Sequence, residues 1–212
     1  MHRLLDVGLE QLTTMVYRMG EVAEKVIKLS VRGYLNHRDT TEDVRELSEM
    51  LTTMTVEVEN KAFELIAKFQ PVASDLRIIN SYMKIAYDFE RYGRYAWDIS
   101  FTHKRLTGLD KCADDMAHMK ELSEKVTSMV GKSVHALRHH DAELARSLAA
   151  TEKEVDDLWY ASLDELGNSK VLNKCVMCNL LVSRFLERIA DHTTYVGESI
   201  VYIATGEKWS LR

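Results

Sequence analysis

Two pairs of acidic residues spaced four apart stand out in the second half of the sequence. Glu187 and Asp191 form one pair, and Glu152 and Asp156 form the other. Residues four apart lie on one face of a helix, so each pair would present two carboxylates side by side. If the two helices pack together, four carboxylates converge, and such a cluster attracts Mg, Mn, Fe or Zn. Without a cation the carboxylates repel one another, and one or more of their pKa values rise.

Glu187 stands out among these acids because it interrupts an apolar stripe. Leu180, Glu187, Thr194 and Val201 fall seven residues apart, which places them on one side of a helix. A carboxylate within such a stripe must be paired, metal-bound or protonated. Most acidic pairs at this spacing are solvated surface charges, so spacing alone leaves both interpretations open.

The first half carries a related ladder with a different charge pattern. Glu90, Arg94 and Asp98 are four apart, and a cation between two acids neutralises them. Glu90 again falls in an apolar row of residues seven apart, which comprises Leu76, Met83, Glu90 and Trp97. This ladder therefore neutralises itself, whereas Glu187 and Asp191 have no cation at the matching place.

Composition favours a helical protein. Hydrophobic residues make up 46% of the 212 residues, with 9 Gly and only 1 Pro, too few turn residues for a sheet-rich fold. The net charge of −5 and the lack of a basic stripe argue against direct binding of nucleic acid. Three cysteines, with no signal peptide or membrane-spanning run, predict a cytoplasmic protein.

Apolar residues recur at three- and four-residue spacing through most of the chain, which predicts helices. We place six, over about 4–36, 39–69, 71–105, 112–139, 141–166 and 170–205. Asp39-Thr-Thr-Glu42 resembles a capping box, and Pro71 is expected to open the third helix. Asp141 is predicted to cap the fifth helix, and Gly206 to end the sixth.

The two halves of the sequence are similar. Tyr34–Asp39 corresponds to Ala136–Asp141, and Phe89–Gly93 corresponds to Leu186–Ala190, at offsets of 102 and 97 residues. Such a repeat indicates duplication of a three-helix unit. The fold class is therefore all-α, with one antiparallel three-helix bundle in residues 1–106 and a second in residues 111–212.

Other reactive residues have simpler explanations. Cys175 and Cys178 form a single CxxC, and zinc ribbons need two such pairs, so both are expected to pack on a helix. His192 could join a metal site, although its direction differs by about 100° from that of Asp191 around the helix. No nucleophile–His–acid arrangement and no Gly-rich phosphate loop is apparent.

Several of these segments together resemble the PhoU family. Gln70-Pro-Val-Ala-Ser-Asp-Leu-Arg77 is similar to the family signature at the start of its third helix, and the two Glu-Arg motifs that begin at Glu90 and Glu187 are similar to its repeated motifs. The C-terminal segment Ile200–Glu207 also matches. The resemblance covers nearly the whole chain and implies two pseudo-symmetric three-helix bundles.

The resemblance implies a non-enzymatic regulator of phosphate uptake. Its implied partners are the ATPase subunit of the phosphate ABC transporter and a sensor histidine kinase, which would bring the chain to the membrane surface. Some members bind iron or zinc through Glu/Asp-x-x-x-Asp motifs. Here Glu187 and Asp191 match, but Arg94 replaces the first-half Asp and Tyr195 replaces the usual Asn.

The resemblance extends, less securely, to four further acids: Glu49, Glu59, Glu152 and Asp156. The metal candidates are therefore Glu187, Asp191, Glu152 and Asp156 in the second half, with Glu90 and Asp98 the weaker first-half set. Fe or Zn is the expected metal, Mg and Mn stay open, and so does the absence of any metal. The sequence also leaves homodimer formation open.

The sequence leaves two alternative functions open. A carboxylate-bridged metalloenzyme of the helical-bundle class would use Glu-x-x-His pairs, and no histidine here has Glu three residues before it. A scaffold of the same fold could instead serve another transporter.

Overall fold

The structure is a computed structural model and describes residues 4–106, 116–168 and 173–211. Within those ranges the backbone forms six α-helices and no strand, as the sequence predicts. They are α1 (Leu4–Leu35), α2 (Thr41–Phe69), α3 (Ala73–Arg105), α4 (Met116–His139), α5 (Ala142–Asn168) and α6 (Lys174–Thr205). None of these helices is both long and apolar enough to cross a membrane.

The helices pack in two sets of three. In each set every helix touches the other two: α1, α2 and α3 in one, and α4, α5 and α6 in the other. The sets meet where α3 packs on α6 and α1 packs on α4. One hydrophobic core runs through both sets, so α3 and α6 are central elements of the molecule. The predicted linker after Leu106 lies outside the described residues, and the division at residues 106 and 111 stays a prediction.

The predicted apolar stripe of α3 is only partly buried. Its row Ile79, Ala86 and Gly93 lies in the core as predicted, but its row from Leu76 to Trp97 does not. Tyr82, Phe89 and Ala96 are fully buried, whereas Leu76 is 41% exposed and Glu90 is only half-buried. The row that contains Glu90 therefore lies at the edge of the core. The sequence pattern misplaced it because α3 packs against α1, α2 and α6, and the core lies on the side of Tyr82, Phe89 and Ala96.

Helix ends follow the sequence in some places and depart from it in others. Asp141 Oδ1 accepts a hydrogen bond from Leu144 N at 2.9 Å, which is the predicted cap. Gly206 ends α6 at φ 80°, a left-handed conformation that glycine adopts without strain. Asn173 caps α6 by accepting from Val176 N at 2.9 Å, so α6 begins four residues later than predicted.

The expected capping box at Asp39 does not form. Asp39 Oδ1 accepts from Thr41 N, while the cap residue Thr40 makes no side-chain bond to the helix. Thr40 Oγ1 lies 3.2 Å from Ser100 Oγ instead, so a tertiary contact takes the hydroxyl. The third helix also begins two residues after Pro71, at Ala73.

The cysteines differ from one another. Cys178 is a free thiol in the core, and burial raises its pKa to about 11. Both cysteines lie on α6, as predicted, and Cys175 is disulfide-bonded. Helical spacing separates them, because Cys178 faces the core and Cys175 is only half-buried.

Candidate metal centre

Three of the four predicted second-half ligands meet between α5 and α6. Oxygen atoms of Glu152, Asp156 and Asp191 all lie within 4.8 Å of one another. The four-residue spacing puts Glu152 and Asp156 on one face of α5, and the packing of α6 on that face brings Asp191 beside them. Glu152 is 6% exposed and Asp191 is 1% exposed, so the group is largely shielded from water.

Glu187 lies on the same helix but outside this group. Its carboxylate, which is 4% exposed, is paired with Arg184 Nη1 at 2.6 Å and Arg188 Nε at 3.1 Å. Helical spacing alone indicates no cation at the place that matches Arg94, and predicts that both arginines flank Glu187 but face partly elsewhere. That expectation is wrong, because both long side chains fold back along α6 to the buried carboxylate.

Arg188 also connects Glu187 to the acidic group. Its Nη2 lies 2.9 Å from Asp191 Oδ2, so one guanidinium bridges two carboxylates on successive turns of α6. Burial raises the pKa of Glu187, and the nearby Asp191 raises it further, while Arg188 and Arg184 oppose the shift. Arg188 therefore provides part of the positive charge that four neighbouring acids require.

In the first half, the carboxylate that corresponds to Glu187 is also paired with an arginine, but among the described residues no other acids converge beside it. Arg94 Nη2 binds Glu90 Oε1 at 2.6 Å, and Thr52 Oγ1 donates to the same oxygen at 3.4 Å. Arg94 corresponds to Asp191 at the offset of 97 that relates Glu90 to Glu187. In the described part of the first half, no three potential ligands come together as they do at Asp191.

The remaining first-half acids are dispersed. Asp98 is half-buried, and burial raises its pKa although Arg91 and Arg94 oppose the shift. Glu49 is exposed on α2 and faces Arg45 at 3.9 Å, and Glu59 is half-buried. The structure thus assigns none of Glu90, Asp98, Glu49 and Glu59 to a cluster of ligands.

His192 belongs to a different pair, which the sequence analysis did not identify. Its Nδ1 lies 2.8 Å from Asp88 Oδ1, and both side chains are largely buried where α3 packs on α6. The ring of His192 also lies beside Tyr95, at 5.8 Å between centroids. Asp88 shares the helical face of the core residues Ile85 and Tyr92, and that placement was the available signal.

Glu152, Asp156 and Asp191, called here the three-acid group, have the chemistry of a cation site. The group offers carboxylate oxygens from two helices, and such ligands suit Mg, Mn, Fe and Zn. Holding ligands from α5 and α6 at once would couple the positions of the two helices.

Comparison with known proteins supports one family over both halves. The family model described as "PhoU domain" matches residues 16–101 and 119–200. A protein of Clostridium acetobutylicum named phosphate-specific transport system accessory protein PhoU homolog is 34% identical, over 99% of this chain and 98% of that protein. A similarly named homolog 1 of Methanothermobacter thermautotrophicus is 30% identical, over 90% of each chain.

Solved structures show the same fold. The crystal structure of PhoU from Pseudomonas aeruginosa superposes with a TM-score of 0.88 at 26% identity, over 95% of this chain and 99% of that one. The phosphate transport system regulatory protein PhoU from Streptococcus pneumoniae gives a TM-score of 0.86 at 23% identity, over 97% and 99%. With its two matched domains and its full-length relatives, the chain belongs to the PhoU family, as an accessory and regulatory protein of phosphate transport.

Proposed function

We propose that the protein regulates phosphate uptake as a non-enzymatic adaptor in the cytoplasm. The observation that carries this proposal is the match of the PhoU domain to both halves, together with full-length relatives named as accessory proteins of the phosphate-specific transport system. The adaptor would contact the transporter's ATPase subunit or a sensor histidine kinase through its helical surfaces. Binding of the adaptor changes the activity of its partner only if the adaptor binds one state of that partner better than another.

A binding measurement tests this function directly. Purified protein is immobilised and presented with the ATPase subunit of the same organism's phosphate transporter and with the cytoplasmic part of its phosphate-sensing kinase. Saturable binding to either one, with no binding to the ATPase subunit of an unrelated ABC transporter, is the expected result. Equal binding to the unrelated subunit, or no binding to any of them, would refute the adaptor role.

We further propose that Glu152, Asp156 and Asp191 bind Fe or Zn. Support comes from their convergence within 4.8 Å and from the burial of two of the three carboxylates. Glu187 is not needed as a ligand because Arg184 and Arg188 hold its carboxylate. The ion would supply positive charge between α5 and α6 and would fix the two helices against each other.

Elemental analysis of the untagged protein tests the metal proposal. Stoichiometric metal is expected in the wild type and is expected to be lost in the double variant Asp156→Asn with Asp191→Asn. The matched control is Glu46→Gln with Glu49→Gln, which removes two exposed acids of α2 and should keep the metal. Metal that survives the Asp156 and Asp191 changes, or wild-type protein that takes up none after incubation with Fe or Zn, would overturn the site.

A further inference from the structure

A cleft lies between α3, α6 and the segment that follows α6, apart from the three-acid group. Its volume is about 590 Å³, within the range of small-molecule sites, roughly 300–1,000 Å³. The segment after α6 forms one wall. Leu211 N donates to Glu198 Oε1 at 2.9 Å, and the Leu211 side chain is buried, so this wall is anchored.

Aromatic rings form much of the lining. Tyr87 and Tyr195 face the cleft from α3 and α6, and Tyr202 and Trp209 complete the aromatic wall. Trp209 is 49% exposed, and Arg146 supports it with Cζ 5.0 Å from the ring centre. Tyr87 is 53% exposed, and aromatic rings around one cleft suit a flat ring that stacks against them.

The interior of the cleft contains polar groups that could bind the edge of such a ring. Ser81 lines the cleft and is 1% exposed, and its Oγ has no hydrogen-bond partner among the described residues. A buried hydroxyl without a partner costs free energy that a bound ligand can recover. Asp88 also lines the cleft, and its carboxylate has acceptor capacity beyond the bond to His192.

The charges are separated between the interior and the mouth. Two acids and two lysines line the cleft. Asp88 is buried and Glu198 is half-buried, with its Oε1 accepting from Leu211 N. Lys84 and Lys208 are exposed, and Lys208 Nζ lies 5.9 Å from the ring centre of Tyr202. An acceptor inside would bind ring N–H groups, and two ammonium groups outside would bind an anionic tail. An organic cation would also suit the aromatic wall, but the two lysines at the mouth would repel it.

We propose that this cleft binds a purine nucleotide, with its base against the aromatic wall and Ser81, and its phosphates at Lys84 and Lys208. Such a ligand would hold the segment after α6 against α3. The proposal is independent of the proposed metal and adaptor functions, because none of its residues belongs to the three-acid group.

Equilibrium dialysis of the full chain against ATP, AMP, GTP and GMP tests the proposal. At least one nucleotide is expected to bind with a Kd below about 1 mM, the weak end of specific binding. Trp209→Ala removes a stacking surface and should raise the Kd about tenfold. Lys84→Ala should weaken nucleoside triphosphate more than monophosphate, and Ser81→Ala should weaken both.

Matched controls keep the outcome clear. Tyr160→Ala removes an exposed aromatic ring of α5, and Lys25→Ala removes an exposed lysine of α1, so both should leave the Kd unchanged. Thermal melting of every variant checks that it is folded. The proposal is overturned if no nucleotide binds, if the Trp209 and Lys84 variants bind as the controls do, if tripolyphosphate competes as well as ATP, or if spermidine binds in place of nucleotides.

Discussion

Glu90 and Glu187 occupy corresponding positions in the two halves, and their carboxylates are held by different cations. Arg94, one turn along α3, pairs with Glu90, whereas Arg184 and Arg188 pair with Glu187. The different partners leave Asp191 next to the acids of α5. At the scale of single residues, the second half has Asp191 where the first half has Arg94. This difference distinguishes the candidate metal centre from its first-half counterpart.

Asp98 gives a prediction about pH. Burial raises its pKa in the folded protein, so the folded state retains a proton that the unfolded state has already lost. Ionisation of Asp98 in the folded protein therefore lowers the free energy of unfolding. That free energy falls as the pH rises from the ordinary pKa of aspartate through the pKa of Asp98 in the folded protein. We expect Asp98→Asn to be more stable than wild type at neutral pH, with the difference disappearing in acid, in urea unfolding at several pH values.

A metal bound at Asp98 would reverse this result, because it would stabilise the carboxylate. A variant that is less stable than wild type at neutral pH, by an amount that grows with pH, would therefore contradict the burial argument. The control is Glu57→Gln, which makes the same change from carboxylate to amide at an exposed position in the middle of α2 and should change the pH profile little.

At the scale of helices, Gly93 lies where α3 packs tightly against α2. A Cβ at this position would lie 2.9 Å from Leu51 Cδ1 and 3.2 Å from Ser48 Cα. The corresponding residue of the second half is Ala190, so α5 and α6 leave room for a methyl group that α2 and α3 do not.

We predict that Gly93→Ala destabilises the protein despite its better helix propensity. Overpacking costs about 1–3 kcal/mol, which exceeds the gain of about 1 kcal/mol from replacing glycine in a helix. The control is Gly167→Ala in α5, where no atom lies within 4 Å of the added Cβ. Urea unfolding should show a loss for the first variant and no loss for the second, and equal effects would argue against the close approach.

The cap of α5 yields another test. Asp141→Ala removes the acceptor for Leu144 N and should cost about 1 kcal/mol. Asp141→Asn keeps a side-chain oxygen and should cost much less, since Asn and Asp cap almost equally well. If both variants lose the same amount in thermal or urea unfolding, the loss comes from the charge of Asp141 and not from the cap.

At the scale of the whole molecule, the two halves share their core. Tyr92 Oη on α3 donates to Thr193 Oγ1 on α6 at 2.8 Å in a fully buried contact. The hydrophobic cluster extends through both halves without a break. Neither three-helix set can therefore open without exposing part of the other.

We accordingly expect the chain to unfold in one cooperative transition. Differential scanning calorimetry should give equal calorimetric and van't Hoff enthalpies for the metal-free protein. Tyr92→Phe, which removes this one hydrogen bond between the halves, should lower the free energy of unfolding by about 1 kcal/mol and keep the single transition. Two resolved transitions in the wild type would show that the halves are energetically separate.

Much of the architecture follows from local sequence. Helical periodicity predicted all six helices, and the cap at Asp141 and the end at Gly206 were correctly placed, because these features depend on residues within a few positions. The spacing of Glu152 and Asp156 likewise predicted that two acids share one face. The prediction that Asp191 lies beside them required the further assumption that α5 and α6 pack together.

The features that were missed join residues far apart in the chain or depend on side-chain direction. Asp88 meets His192 only because α3 packs on α6, and Thr40 fails to cap α2 because Ser100 engages it. Arg188 is three residues from Asp191, but its double contact depends on how deeply α6 is buried. Sequence alone thus determined the helices and the family, while helix packing decided which carboxylates converge, since burial and distance between elements are tertiary properties.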